Sequence, residues 1–213
     1  MTSHDHNKKI LLVNPWIHDF AAYDYWAKPL GLLYIGSVLR NEGFRVKLVD
    51  CLNDPEALRF GTRKNGRGRF RKEEISKPAA LAHIPRRYSR YGMSPGRFRE
   101  ALHQCGRPDA IFVTSVMTYW YPGVFEAIEI IKQLFPDVPL ALGGIYATLC
   151  PEHARARSGA DLVVEGDVLF RKPESKNSLQ AVLKMLLGTD LNFFEPHETL
   201  ASLPFPALSL IHI

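Results

Sequence analysis

Residues Pro108–Thr148, PDAIFVTSVMTYWYPGVFEAIEIIKQLFPDVPLALGGIYAT, decide the fold. Ala110, Ile111, Phe112 and Val113 form a short apolar run that ends at Thr114-Ser115, the pattern of a strand buried on both faces. Pro122 suits the first turn of a helix, where its missing N–H is not needed. Val124, Ile128, Ile131 and Phe135 then recur at helical spacing, with Glu126, Glu129, Lys132 and Gln133 elsewhere on the wheel. Pro136 and Pro139 close that helix, and Val138 to Leu142 runs as a second strand into Gly143-Gly144. A strand, a helix and a strand make one parallel crossover. Ligands of such sheets sit beyond the carboxyl ends of the strands, so the loops Ser115–Tyr121 and Gly143–Thr148 should face the same ligand.

The same alternation extends outward in both directions. Lys8 to Asn14 reads as strand one, and Phe44 to Asp50 as strand two, whose alternating Arg45 and Lys47 place it near the sheet edge. Between them lies a helix opened by Pro29-Leu30-Gly31 and stopped at Asn41-Glu42-Gly43. The loop Pro15–Pro29 is long for such a connection and rich in rings: Trp16, Phe20, Tyr23, Tyr25 and Trp26. Ser94-Pro95 starts a helix that ends at Gly106, Pro151 starts a short one, and Asp161 to Glu165 reads as strand five. Ser178 caps a last helix, Leu179 to Leu187, stopped by Gly188. The expected fold is therefore a flavodoxin-like (Rossmann-like), doubly wound α/β sheet of five parallel strands in the order 2-1-3-4-5. The domain spans residues 1–190, with an irregular insertion at about 53–96, and residues 191–213 read as a Pro-containing linker with apolar anchors.

Composition narrows the function classes. The chain has 213 residues, 46% of them hydrophobic, enough for one full core. No apolar run approaches the ~18–20 residues a membrane span needs, and the polar start, Met-Thr-Ser-His-Asp-His, does not read as a secretory signal. Three separate cysteines, Cys51, Cys105 and Cys150, form neither a metal pair nor a disulfide framework, which fits a reducing cytoplasm. The net charge of +5 is uneven: Arg59 to Arg99 carries +11, leaving −6 on the rest. A basic insertion with Phe60 and Phe70 can bind phosphates or nucleic acid, or dock on an acidic partner domain. The acidic body favours docking, and a nucleic-acid partner is not expected.

Strand one is followed by no G-x-G-x-x-G and no phosphate-loop lysine, so a dinucleotide or nucleoside triphosphate is not indicated, and no Ser/Thr-rich loop there favours a free-standing flavin carrier. The double glycine, the hydroxyls of Thr114, Ser115 and Thr118, and the rings of Tyr119, Trp120, Tyr121 and Tyr146 suit a large, partly apolar cofactor.

These residues resemble a known pattern. The cobalamin-binding domain has Ser-x-Leu after its third strand and Gly-Gly after its fourth; Ser115-Val116-Met117 and Gly143-Gly144 stand at those places. Four segments in order are similar to the N-terminal half of cobalamin-dependent radical SAM proteins: Pro29 to Ile35, Gly143 to Thr148, Asp161 to Asp167, and Leu203-Pro204-Phe205-Pro206. Three departures stand out, one of them at Asp167, which begins a poorer match to the family's acidic motif. Trp26 occupies the place of the cobalt-ligating His of the D-x-H-x-x-G branch, and Tyr146 stands where the family often has His. His18 lies in the same loop without that motif.

The resemblance implies a cobalamin (vitamin B12) site. Ser115, Thr118, Gly143, Gly144 and Tyr146 would surround the cofactor tail. Tyr25, Trp26, Pro29 and Leu30 would line the corrin face, and Glu165-Gly166 would close the site. It also implies a radical SAM domain after the linker, carrying S-adenosylmethionine and a 4Fe–4S cluster; the C-x-x-x-C-x-x-C motif for that cluster is not in this sequence. Alone, this chain would not be catalytic. A domain of the same fold that binds no cofactor, or a nucleic-acid binder acting through the insertion, are the alternatives. The substrate stays unassigned.

Overall fold

The structure is a computed structural model and describes residues 7–25, 28–54, 68–170, 178–188 and 199–211. In chain order the first half holds β1 (Lys9–Asn14), β2 (Ile17–Asp19), α1 (Leu30–Asn41), β3 (Arg45–Asp50), β4 (Lys72–Glu74) and β5 (Ser89–Tyr91). Then follow α2 (Pro95–Cys105), β6 (Ala110–Val113), α3 (Tyr121–Leu134) and β7 (Leu140–Leu142). The chain continues with α4 (Ile145–Leu149), α5 (Pro151–Arg157), β8 (Leu162–Val163) and α6 (Leu179–Leu187).

Five strands form one parallel sheet, β3-β1-β6-β7-β8. Counted along the parallel strands alone this is 2-1-3-4-5, the expected order. Ile10, Leu11, Leu12 and Val13 of β1 are wholly buried, because both faces of this central strand carry helices. Alternation divides the contacts. Leu11, Val13, Ile111, Val113, Leu140 and Leu142 pack against α2, α3 and α5. Ile10, Leu12, Ala110, Phe112 and Ala141 pack against α1 and α6. The edge strand β3 shows Arg45 and Lys47 to solvent and buries Val46 and Val49, as its sequence pattern requires.

Local signals hold where they were read. Ser94 Oγ accepts from Arg97 N at the start of α2, and Ser178 Oγ accepts from Ala181 N at the start of α6. The tail keeps its apolar anchors: Leu203 and Leu210 pack on the α1–α6 core, Ala207 N donates to Leu33 O, and Arg40 Nη1 donates to Ser209 Oγ at 2.7 Å. Gly36 of α1 makes this fit possible, since a Cβ there would lie 2.9 Å from Leu210 Cδ1 and 3.1 Å from Leu12 Cδ1.

The insertion and the first long loop are more regular than expected. Part of the insertion forms β4 and β5, and Ile17–Asp19 of the loop joins them in an antiparallel sheet, β2-β5-β4. Trp16 is not a ligand-facing ring; it is 1% exposed, meets Phe98 edge-on at 4.9 Å, and its Nε1 donates to Met93 O. Among the described residues two cations of this stretch are tied down by carboxylates: Arg90 pairs with Glu126 of α3 and with Glu73 of β4, and Arg97 pairs with Asp54. The expected loop Gly143–Thr148 contains the start of α4. Strand five is shorter than Asp161 to Glu165, pairing with β7 only at Leu162 and Val163. No helix among the described residues is long and apolar enough to cross a membrane.

Candidate functional site

A pocket of about 420 Å³ opens at the carboxyl ends of β6, β7 and β8, between α1 and α6. Its floor is Phe112, Ala141 and Val164, its walls are Leu32 and Ile35 of α1 and Val182 of α6, and Ile145 and Leu149 of α4 stand at its mouth. The small side chain of Ala141 on β7 leaves the space that two flanking helices would otherwise share. Among the described residues the lining is mostly apolar, with Thr114, Thr148 and Asp167 as its polar side chains and no His, Cys, Lys or Arg. Thr148 Oγ1 donates to Gly144 O and accepts from Gly166 N, both at 2.9 Å, and Asp167 Oδ1 accepts from Leu169 N. The polar rim is thus held in place by the chain itself. An apolar floor with a few fixed polar groups at the rim is the make-up of a small-molecule binding pocket.

Four glycines line it, for different reasons. Gly144 has φ +92°, and a Cβ there would sit 2.3 Å from Ser115 O and 2.7 Å from Ser115 N. Its lack of a side chain lets the β6 and β7 loops cross, and Ser115 locks that crossing: Ser115 Oγ donates to Gly143 O at 2.8 Å, and Ile145 N donates to Ser115 O. Gly143 and Gly31 are different. Neither has a positive φ; a Cβ on Gly143 would find only Val164 O at 3.9 Å, and one on Gly31 would find nothing within 4 Å. Gly166, with φ +74°, also faces open space. Side chains at 31, 143 and 166 would therefore project into unfilled volume, which is what a backbone approached closely by a ligand looks like.

The expected site residues divide accordingly. Gly143, Gly144 and Gly166 line the pocket. Leu30 is 54% exposed at the start of α1 and Tyr25 is 60% exposed in the preceding loop, while Pro29 is buried. Trp26 lies outside the described residues. Ser115, Thr118, Tyr146 and Glu165 are not part of the lining. Thr118 starts a short 3-10 turn, Thr118–Trp120, and Glu165 is ion-paired with Arg155. Tyr146 is turned to the opposite core. It stacks on Tyr121, its hydroxyl lies 2.6 Å from His153 Nδ1, and burial pushes its pKa up to about 12. Helix α4 explains the split: Ile145 and Leu149, one turn apart, share the pocket side, and Tyr146, 100° further round, does not. The α1, α6 and strand residues of the wall carried no sequence signal beyond Gly31, because they are ordinary apolar positions brought together only by packing.

His18 is elsewhere as well. It lies in β2, 5% exposed, with Nε2 3.1 Å from Glu126 Oε2, and Tyr88 OH donates to its carbonyl. Burial pushes Glu126 up, but its contacts with His18 and Arg90 outweigh that and hold its carboxyl below the ordinary value. Among the described residues no group of three or more His, Cys, Asp or Glu is arranged to hold a metal ion.

Around the pocket mouth the surface is apolar. Val116, Met117 and Tyr119 after β6, Ile145 and Leu149 after β7, and Leu30 at the start of α1 are all large and exposed. Neither a comparison with protein-family models nor one with curated proteins gives a match. The fold and the pocket carry the functional argument.

Proposed function

We propose that this chain is a cobalamin-binding domain that works beside a radical SAM domain. The observation that carries the reading is the apolar pocket at the carboxyl ends of β6–β8, rimmed by Gly31, Gly143 and Gly166, whose missing side chains leave its entrance open. The residues present fit the group in two respects. A pocket of about 420 Å³ suits one arm of a large cofactor rather than a whole corrinoid. The exposed rings and aliphatic side chains outside it, Tyr25, Leu30, Met117, Ile145 and Leu149, suit the broad face of a macrocycle or the wall of a neighbouring domain. Bound cobalamin would supply methyl transfer or assist radical chemistry at its cobalt. This chain's own part is to hold the tail in the pocket, fix the rim through Thr148 and Asp167, and keep water from the apolar floor. His18, buried against Glu126, is committed to the fold. S-adenosylmethionine and the 4Fe–4S cluster would belong to the partner domain. Three free, separate cysteines are compatible with a cytoplasmic setting.

Titration of the purified protein with hydroxocobalamin and methylcobalamin, followed by visible absorbance and gel filtration, tests this. A pink complex that co-elutes with protein is expected, and Gly143→Leu and Gly31→Leu should each weaken it at least about tenfold, the scale of a blocked contact. Equal affinity in these variants, or colourless protein from both cobalamins, would refute the site.

A further inference from the structure

A second cavity, of about 570 Å³, lies on the small antiparallel sheet, between the loop after β2 and the chain leading into β4. It is lined by the rings of Tyr23, Phe70 and Tyr91 and by Arg69, Arg71 and Lys72. Its described lining residues include no carboxylate; Asp24, which forms a backbone bridge with Gly68, sets its carboxylate against that lining glycine, with Oδ2 2.6 Å from where a Cβ on Gly68 would stand. Its wall is braced: Tyr91 OH donates to Phe20 O, and Gly92 N donates to Arg71 O.

The disposition of charge around this cavity is selective. Among the described residues, several of the insertion's cations already have partners. Arg90 is bound to Glu126 and Glu73, Arg97 to Asp54, Arg87 to Glu74, Arg99 to Gln133 and Lys77 to Ile84 O. Arg69 and Lys72, by contrast, make no side-chain hydrogen bond or ion pair among the described residues, and both are exposed. Tyr23 is 45% exposed beside them. Tyr23 leans on Tyr25, their ring centroids 6.1 Å apart. Unpaired cations next to partly exposed rings form a site with two requirements: an anion for the cations and a flat ring for the aromatics.

We propose that this cavity binds a nucleotide unit, its base on the Tyr23–Phe70 side and its phosphate on Arg69 and Lys72. The unit can come from a free nucleotide or from a single strand. The site is separate from the glycine-rimmed pocket and shares no lining residue with it.

The test is fluorescence anisotropy of a labelled octauridylate strand, with ATP and inorganic tripolyphosphate as competitors. The variants are Arg69→Glu with Lys72→Glu, and Tyr23→Ala, all at exposed positions, with circular dichroism and melting temperature matched to the parent. Binding is expected to weaken at least about tenfold in the double variant, with the slope of log affinity against log salt reduced by roughly 0.7 for the one phosphate no longer neutralised. Tyr23→Ala should weaken it several-fold without changing that slope. Full competition by ATP identifies a free nucleotide; a strand that binds far more tightly than ATP identifies single-stranded nucleic acid. The proposal is overturned by tripolyphosphate competing as well as ATP while Tyr23→Ala binds normally, by unchanged binding in the double variant, or by no binding of strand or ATP at about 100 µM in low salt. Cobalamin titration of the same variants reads the other pocket and is unaffected by any of these outcomes.

Discussion

Gly143 and Gly144 are neighbours in the chain and answer to different forces. Gly144 is required by backbone geometry: a left-handed φ and a contact of 2.3 Å to Ser115 O leave no room for a methyl group. Gly144→Ala should cost at least about 1–3 kcal/mol, read as a lower urea midpoint. Gly144→Leu therefore cannot serve as a test of ligand binding, because it breaks the crossing of two loops. Gly143→Ala meets no such obstacle and should stay within about 0.5 kcal/mol of the parent. Gly31 lies in the first turn of α1, where alanine is the better helix former, so Gly31→Ala should leave stability equal or raise it by up to about 1 kcal/mol. A glycine kept where alanine would be as stable or more so is one that the fold alone does not demand. If Gly143→Ala proves as damaging as Gly144→Ala, the assignment of Gly143 to ligand space fails. The sequence shows two adjacent glycines; their φ values and neighbours, which separate the roles, are set by the loop from β6.

The unexpected element is the small sheet β2-β5-β4. Strands of three residues are too short to show a period, and their partners lie far along the chain, so nothing local announces them. Charge binds this sheet to α3. Arg90 of β5 reaches Glu126, and His18 of β2 reaches the same carboxylate. The Glu126 carboxyl titrates below its ordinary value of 4.5 in the folded protein. Its ionised form therefore stabilises the fold above the unfolded value, and that contribution is lost as pH falls through the lowered folded value. Glu126→Gln should destabilise the protein by about 1–3 kcal/mol at pH 7, since it leaves Arg90 only Glu73. The variant's stability should also decline less steeply below about pH 4.5. Urea midpoints at pH 7 and pH 4 measure both, and parallel declines in parent and variant would remove Glu126 as the source. The longer elements needed no such contacts to be read. Helices α2 and α6 carry Ser caps, α3 carries Pro122 in its first turn, and α1 and α3 carry apolar stripes. Helix α4 was hidden because five residues between a glycine pair and Cys150-Pro151 look like a turn.

At the scale of the molecule, two apolar cores lie on opposite faces of one sheet and share its strands. Cys51 sits at the join with the small sheet: its carbonyl accepts from Met93 N, and it is wholly buried, with its thiol pushed well above the usual range by burial. Cys105 and Cys150 are half-buried. A thiol reagent should therefore label Cys150 and, more slowly, Cys105 in the native protein, whereas Cys51 labelling should follow global unfolding in urea. Rapid labelling of Cys51 without denaturant would show that the small sheet opens independently of the main one. The sequence by itself determined the class of fold, the order of the parallel strands and the ends of the longer helices, because periodicity, caps and proline act over a few residues and are written locally. It also marked Gly143, Gly144 and Gly166. Only the tertiary structure decided that Tyr146 faces away while Ile145 faces the pocket, that Gly31 and Val182 share one cavity, and that Arg69 and Lys72 are left without ion-pair partners while Arg90 and Arg97 are not. Those outcomes depend on which distant surfaces pack together and how much space they leave, and no short stretch of chain carries that information.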